Sequence, residues 1–247
     1  MSWLRSGLLA AWGSAFLDGR AGYDEALARV TRDDLPHRTA GVPGTENDVP
    51  LGWALTAWRD RGATALRLVL PAPGDPRGLP GPSPFSTATM AAGEGVHGGG
   101  LGLVPEVTRH GSELGSGAYG VCWRAYPDLA EPPADPLAVA EAEHDLTGAL
   151  REAASTLAAM DAASWRPEVA GELARLRRVG APALPPGYPP RAVRLLAQAD
   201  RLAAVLELAA ADAPGGALTA GAASARADAL RPLRTAVRRA RLAAYNA

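Results

Sequence analysis

Four histidines and a single cysteine are the side chains whose chemistry goes beyond packing and charge, so their spacing is informative. Glu141 and His144 lie three apart in a helical stretch, which puts a carboxylate and an imidazole on one face, a spacing suited to a metal ion. A dimetal site between helices needs a second such pair and two further inward carboxylates. The other match, Glu94 with His97, falls in a glycine run, and His144 lies off the apolar seam marked by Leu146. His144 is therefore expected in solvent, with no metal. His37 and His110 sit in loop-like sequence beside Arg38 and Gly111, and spacing places no Ser, Cys or Asp next to either. Cys122 alternates with Val121 and Trp123 as in a strand, which predicts a packed thiol rather than a nucleophile. One cysteine also excludes an internal disulfide and a multi-cysteine zinc site. No cofactor is expected.

The glycine runs suggest other chemistries. Gly115, Gly117 and Gly120 read G-x-G-x-x-G with Val121 directly after, which resembles the glycine loop over ATP in protein kinases, where a lysine on the next strand pairs with the phosphates. This chain contains no lysine, and neither His-Arg-Asp nor Asp-Phe-Gly occurs. Arginine's forked cation is a poor substitute for a compact ammonium, so these glycines are expected to serve a hairpin turn. Gly93, Gly95 and Gly98 fit G-x-G-x-x-G, but a dinucleotide site needs a strand before and a helix after. Here a strand follows. His97-Gly98-Gly99-Gly100 resembles the oxyanion segment of some esterases, yet no serine is flanked as G-x-S-x-G requires. With no complete catalytic constellation, an enzyme is not expected. Gly95, His97, Gly98, Gly99 and Gly100 stand instead as a candidate binding loop.

The elements around these residues follow from periodicity. Asp135-Pro136 has the form of a helix start. Leu146, Leu150, Ala153, Leu157 and Met160 then alternate at spacings of four and three, the seam of a helix packed lengthwise on others. Its other faces are acidic. The last helix has the opposite sign: Leu230, Leu233, Val237, Ala240 and Ala244 make a stripe, with Arg231, Arg234, Arg238 and Arg241 beside it. That stripe of arginines is a candidate face for a polyanion or a partner. Exposed ion pairs contribute only ~0.2–1 kcal/mol each against roughly 1.5–3 kcal/mol per buried leucine. The apolar seam must hold such a bundle, and charge biases its register.

Taken in order, helices are expected over 2–17, 23–31 and 50–61, with a loop over 32–49 between the last two. Arg5 before the apolar run 7–17 faintly resembles a signal peptide, but the helical spacing of Leu4, Leu8, Trp12 and Phe16 and the missing cleavage site favour a packed helix. Residues 65–70 read as a strand, 71–84 as a Pro/Gly passage, 85–92 as one or two helical turns. Residues 101–108 and 118–126 read as a hairpin. After the Pro- and acid-rich boundary at 127–136 the helices 135–160, 165–178, 190–212 and 219–245 follow, with Pro232 kinking or dividing the last. Trp53, Trp58, Trp123 and Trp165 are expected in the core. No run approaches the ~20 apolar residues that span a bilayer.

The expected fold is α+β: a helix and mixed-sheet domain over 1–130, with about three strands and helices on one face, then an all-α bundle over 135–247. All 25 basic residues are arginine and the net charge is -1, a mark of GC-rich coding with no global field toward nucleic acid or anionic lipid. The function expected is non-catalytic: a cytoplasmic interaction or scaffolding protein acting through its helical region on a protein partner, a second copy of itself included. Two alternatives are a small-ligand regulatory protein using the 71–100 passage, and nucleic-acid binding through the terminal arginine helix. No membrane partner is expected.

Overall fold

Helix α1 (Arg5–Leu17) is apolar all round, and a helix with no polar face must be enclosed. In the computed structural model, which describes residues 4–110, 118–132, 137–159, 183–211 and 220–247, it is. Arg5 through Gly13 and Ala15 are all buried, against a sheet on one side and the C-terminal helices on the other. The open N-terminus of α1 has no cap of its own. Glu94 takes that place across the chain, its Oε2 accepting from the Ser6 N–H at 2.9 Å, as a carboxylate does at the positive end of a helix. Trp12 anchors the middle by donating Nε1–H to the Ala183 carbonyl at 2.9 Å.

Helix α2 (Tyr23–Thr31) precedes two short strands, β1 (Arg38–Ala40) and β2 (Val49–Pro50), then α3 (Gly52–Asp60) and β3 (Arg67–Val69). Helix α4 (Pro84–Ala92) starts on Ser83, whose side chain accepts from Ser86 N–H. Strands β4 (Gly95–Gly98), β5 (Leu101–His110) and β6 (Ala118–Tyr126) follow. The sheet has six strands in the order β2-β1-β6-β5-β4-β3, double the expected number. It is mixed, β1 running parallel to β6 and the other pairs antiparallel. Helices cover both faces rather than the single face expected: α1 packs on β3, β4 and β5, and α4 lies on the opposite side over β5. Phe85, Val69 and Val104 form a small second core under α4.

The C-terminal helices α5 (Val139–Ala159), α6 (Pro190–Ala211) and α7 (Ala220–Tyr245) pack with α7 between the other two. Pro232 lies inside an unbroken α7. Leu146 and Ala153 of the expected α5 seam are buried, joined by Ala142. The sequences at Asp135-Pro136, Met160, 165–178 including Trp165, and 111–117 lie outside the described residues. One apolar cluster runs through both halves, from Leu8 and Trp58 to Leu196, Leu233 and Tyr245.

The chain end fastens these layers. Asn246 Oδ1 accepts from Leu68 N–H at 2.8 Å, and its Nδ2 donates to the Leu68 carbonyl at 3.0 Å. A side-chain amide thus does for the edge strand β3 what a neighbouring strand would do. The other edge, β2, is two residues long and ends in Pro50. Tyr245, just before, is buried against Gly7, where an added Cβ would sit 2.6–2.8 Å from three ring atoms. Gly7→Ala is expected to cost about 1–3 kcal/mol through this overlap, less the roughly 1 kcal/mol that alanine gains in helix propensity. Thermal unfolding checks it; a variant as stable as the parent would show that the two helices do not meet so closely.

Candidate functional site

The Pro/Gly passage after β3 builds a concavity on the surface. Ala72 and Asp75 close a tight turn by exchanging backbone hydrogen bonds of 3.0 and 2.8 Å. The chain then runs past Leu79 to the start of α4. Between this loop and α4 lies an open trough of about 1060 Å3, lined by Pro76, Leu79, Pro82, Met90 and Ala91 among others. Its hydroxyls are engaged within the wall: Ser86 Oγ donates to the Gly81 carbonyl at 2.5 Å and lies 3.0 Å from Ser83 Oγ. Met90 is exposed at the rim.

The wall is pinned from the far end of the chain. Arg238 of α7 donates to Asp75 Oδ2 at 2.5 Å and to the Leu70 carbonyl at 2.6 Å, and Arg239 Nε donates to the same Oδ2 at 3.1 Å. Burial pushes the Asp75 carboxyl up, but the hydrogen bonds and charges of the two arginines together outweigh it and hold its pKa below the ordinary carboxylate range. Asp75 is therefore ionised at neutral pH, with two guanidinium groups on one oxygen.

A second polar group lies in the core between α1, the α2–β1 connection and β6. Arg5 grips Asp34 with Nε at 2.7 Å and Nη2 at 2.9 Å. His37 Nε2 lies 3.2 Å from Asp34 Oδ2, and Trp123 Nε1 donates to His37 Nδ1 at 3.3 Å. An indole N–H can only donate, so Nδ1 is the accepting nitrogen and Nε2 carries the proton toward Asp34. Both ring nitrogens are used and the His37 side chain is fully buried. The geometry is that of a locked structural chain, Arg5–Asp34–His37–Trp123. Burial pushes the His37 pKa down, and Asp34 offsets this only in part.

The residues singled out from sequence are dispersed. Gly95, His97 and Gly98 form β4, and Gly99 with Gly100 make its two-residue turn into β5, both with positive φ (50 and 72°) as such a hairpin turn demands. The run is thus a paired strand and a tight turn. His97 is buried edge-on to Phe85 at 6.2 Å between ring centres and does not line the trough. Burial, with Arg67 nearby, brings its pKa down to about 4. Cys122 is half-buried in β6, its thiol pushed up by burial.

Of the arginine stripe, Arg231 pairs with Asp228 on its own helix, and Arg241 Nε donates to Asp200 of α6 at 2.7 Å. Arg238 is held by Asp75, and Arg234 is exposed. Helix α5 does lie along α7, and Asp145 and Glu152 share a shallow groove there with Arg231 and Arg239. Among the described residues α5 makes its acid–base contact elsewhere, Glu143 to Arg191 of α6 at 2.7 Å. Among the described residues no group of three or more His, Cys, Asp or Glu is placed to hold a metal ion. No described helix is long and apolar enough to cross a membrane.

Fold and surface together define an α+β protein, a mixed six-stranded sheet joined to packed helices, with an open apolar trough on one side. The chain belongs to the Rv1486c-like protein family: the model of that family's N-terminal domain matches residues 6–139, and that of its C-terminal domain matches residues 140–242. It is 30% identical to the uncharacterized protein MAV321 of Mycobacterium avium over 99% of this chain and 97% of the relative. The uncharacterized protein Rv1486c of Mycobacterium tuberculosis is also 30% identical, again over 99% and 97%. The uncharacterized protein ML1804 of Mycobacterium leprae is 29% identical over 74% of this chain and 67% of its own. No solved structure matches the chain.

Proposed function

We propose that this is a non-catalytic interaction protein, and that the trough between the 75–83 loop and α4 receives an extended apolar segment of a protein partner. The supporting observation is the lining of that trough: it is open to solvent, Pro76, Leu79, Pro82, Met90 and Ala91 make most of its walls with Asp75 and Arg77 beside them, and its hydroxyls are satisfied internally. A small-molecule pocket encloses most of its ligand, whereas an open apolar channel suits a chain laid along it. The helical half then acts as the frame that fixes the wall through Arg238 and Arg239 on Asp75. His37 and His97 are both enclosed, away from the trough.

Met90→Glu places a charge on the wall at an exposed position, where the fold tolerates it. Burying a methionine contributes roughly 1.5–3 kcal/mol, so the variant is expected to lose its partner by at least about tenfold. The test is quantitative affinity capture from the native cell with the parent, Met90→Glu, and Val205→Glu on the exposed side of α6. A partner held by the parent and by Val205→Glu but lost by Met90→Glu supports the trough. A partner lost only with the α6 variant would place the interaction on the helical half instead.

A further inference from the structure

A second cavity, separate from the trough, carries different chemistry. It has about 350 Å3 and lies where α6 and α7 meet the start of α1 and the chain at Leu70 and Gly93. Leu4, Leu70, Leu206 and Val237 give it apolar walls, and three arginines on one face of α7 line it: Arg234, Arg238 and Arg241. Against these stands a single lining carboxylate, Glu207. Two of the arginines are fixed in place. Arg238 is held by the Leu70 carbonyl and Asp75, and Arg241 by Asp200, itself buried. A guanidinium has five N–H donors, so each has capacity beyond those bonds. Arg234, exposed at the rim, makes no ion pair or hydrogen bond among the described residues.

From this we infer that the cleft binds a small apolar carboxylate. The hydrocarbon part lies among Leu4, Leu70, Leu206 and Val237, and the carboxylate meets the guanidinium groups, with Arg234 as the counter-charge not otherwise committed. Arginine suits that task because its planar fork matches a carboxylate with two parallel hydrogen bonds. The volume falls at the lower end of small-molecule sites, too small for a folded partner or a nucleic-acid strand.

Octanoate is the probe, followed by calorimetry and by amide NMR shifts on the full chain. Octanol has the same chain without the charge, octylamine carries the opposite charge, and inorganic phosphate carries charge without the chain. Octanoate is expected to bind, with shifts centred on α6 and α7, and octanol, octylamine and phosphate at least about tenfold more weakly. Arg234→Gln should weaken octanoate about tenfold, and Ala210→Trp should fill the cleft and abolish binding. Both positions are exposed, and thermal unfolding verifies that the variants fold. Absence of octanoate binding, equal binding of octanol, preference for octylamine through Glu207, or full affinity in Arg234→Gln would each overturn the assignment.

Discussion

Replacing Asp34 by alanine lowers the folding free energy by about 3–5 kcal/mol, the range for breaking a buried ion pair from one side. The side chains of Arg5 and Asp34 are only 10% and 14% exposed, so water cannot take over the role of the lost carboxylate. Two short hydrogen bonds from Arg5 and one from His37 end on Asp34. The cation that remains sits in the first turn of α1, where the helix dipole disfavours positive charge, with the Tyr119 ring at 5.1 Å as partial compensation. The loss spreads to Trp123, because His37 loses the acceptor that fixes its tautomer. Denaturant unfolding followed by tryptophan fluorescence measures the effect, and Asp34→Asn, which keeps an acceptor but not the charge, should fall between variant and parent. A loss below about 1 kcal/mol, the level of an exposed pair, would contradict the buried geometry.

The second large effect is acid sensitivity. A histidine whose folded pKa lies below its unfolded value is protonated first in the unfolded chain. Its contribution to stability is complete above the unfolded pKa and is lost as pH falls toward the folded one. His97 goes from an ordinary 6.5 to about 4, so stability should fall by about 3 kcal/mol across that window from this group alone. His37 shifts in the same direction and adds to the fall. Glu94 and Asp200 act oppositely, since burial raises both and lets the folded state take up protons first. Asp34 and Asp75, both held low, add their own loss only below the ordinary carboxylate range near 4. The difference between parent and His97→Gln isolates His97: the variant should show a shallower decline between pH 6.5 and 4. Parallel profiles would mean that His97 is free to protonate in the folded state.

The longer elements are legible in sequence because each carries its period over many residues. Helix α2 has the expected bounds, and β5 and β6 lie where Leu101 to Thr108 and Ala118 to Tyr126 suggest. Strands β1 and β2 are hidden, three and two residues long inside a Pro/Gly passage, and only partners far along the chain define them: Thr39 pairs with Trp123. Strand β4 is disguised by its glycines. A Cβ at Gly95 would sit 2.9 Å from Thr89, and one at Gly98 2.6 Å from the Ala65 carbonyl, so the composition that reads as a loop is what lets this strand pass between its neighbours.

Trp53 illustrates a register error. Leu51, Ala54, Leu55 and Trp58 take the inward face of α3, which turns Trp53 outward to 55% exposure. On α6 the buried line is Ala192, Leu195, Leu196 and Ala199, while Val205 faces solvent. In so alanine-rich a helix the contact face is marked by small side chains as much as by large ones, and Val205 by itself misleads. The Asp34–His37 contact carried a local signal, a spacing of three, but its meaning depends on Arg5 and Trp123. The trough does fall within the 71–100 passage. Its wall, however, rests on Arg238 and Arg239, more than 160 residues away in sequence, and no local pattern reports that.

That long-range fastening makes one body of sheet and helices, with α1 enclosed between them and α7 tied to both Asp75 and the β3 edge. Equilibrium unfolding followed by two signals tests it most directly. In a variant with Trp3, Trp53 and Trp165 replaced by Phe, tryptophan fluorescence reports the surroundings of the buried Trp12, Trp58 and Trp123, and far-ultraviolet circular dichroism reports chiefly α5, α6 and α7. A single shared body predicts that the two curves superimpose at every denaturant concentration. A helical transition completed before the tryptophans respond would show that the C-terminal helices stand apart from the sheet, and the wall of the trough would lose its support.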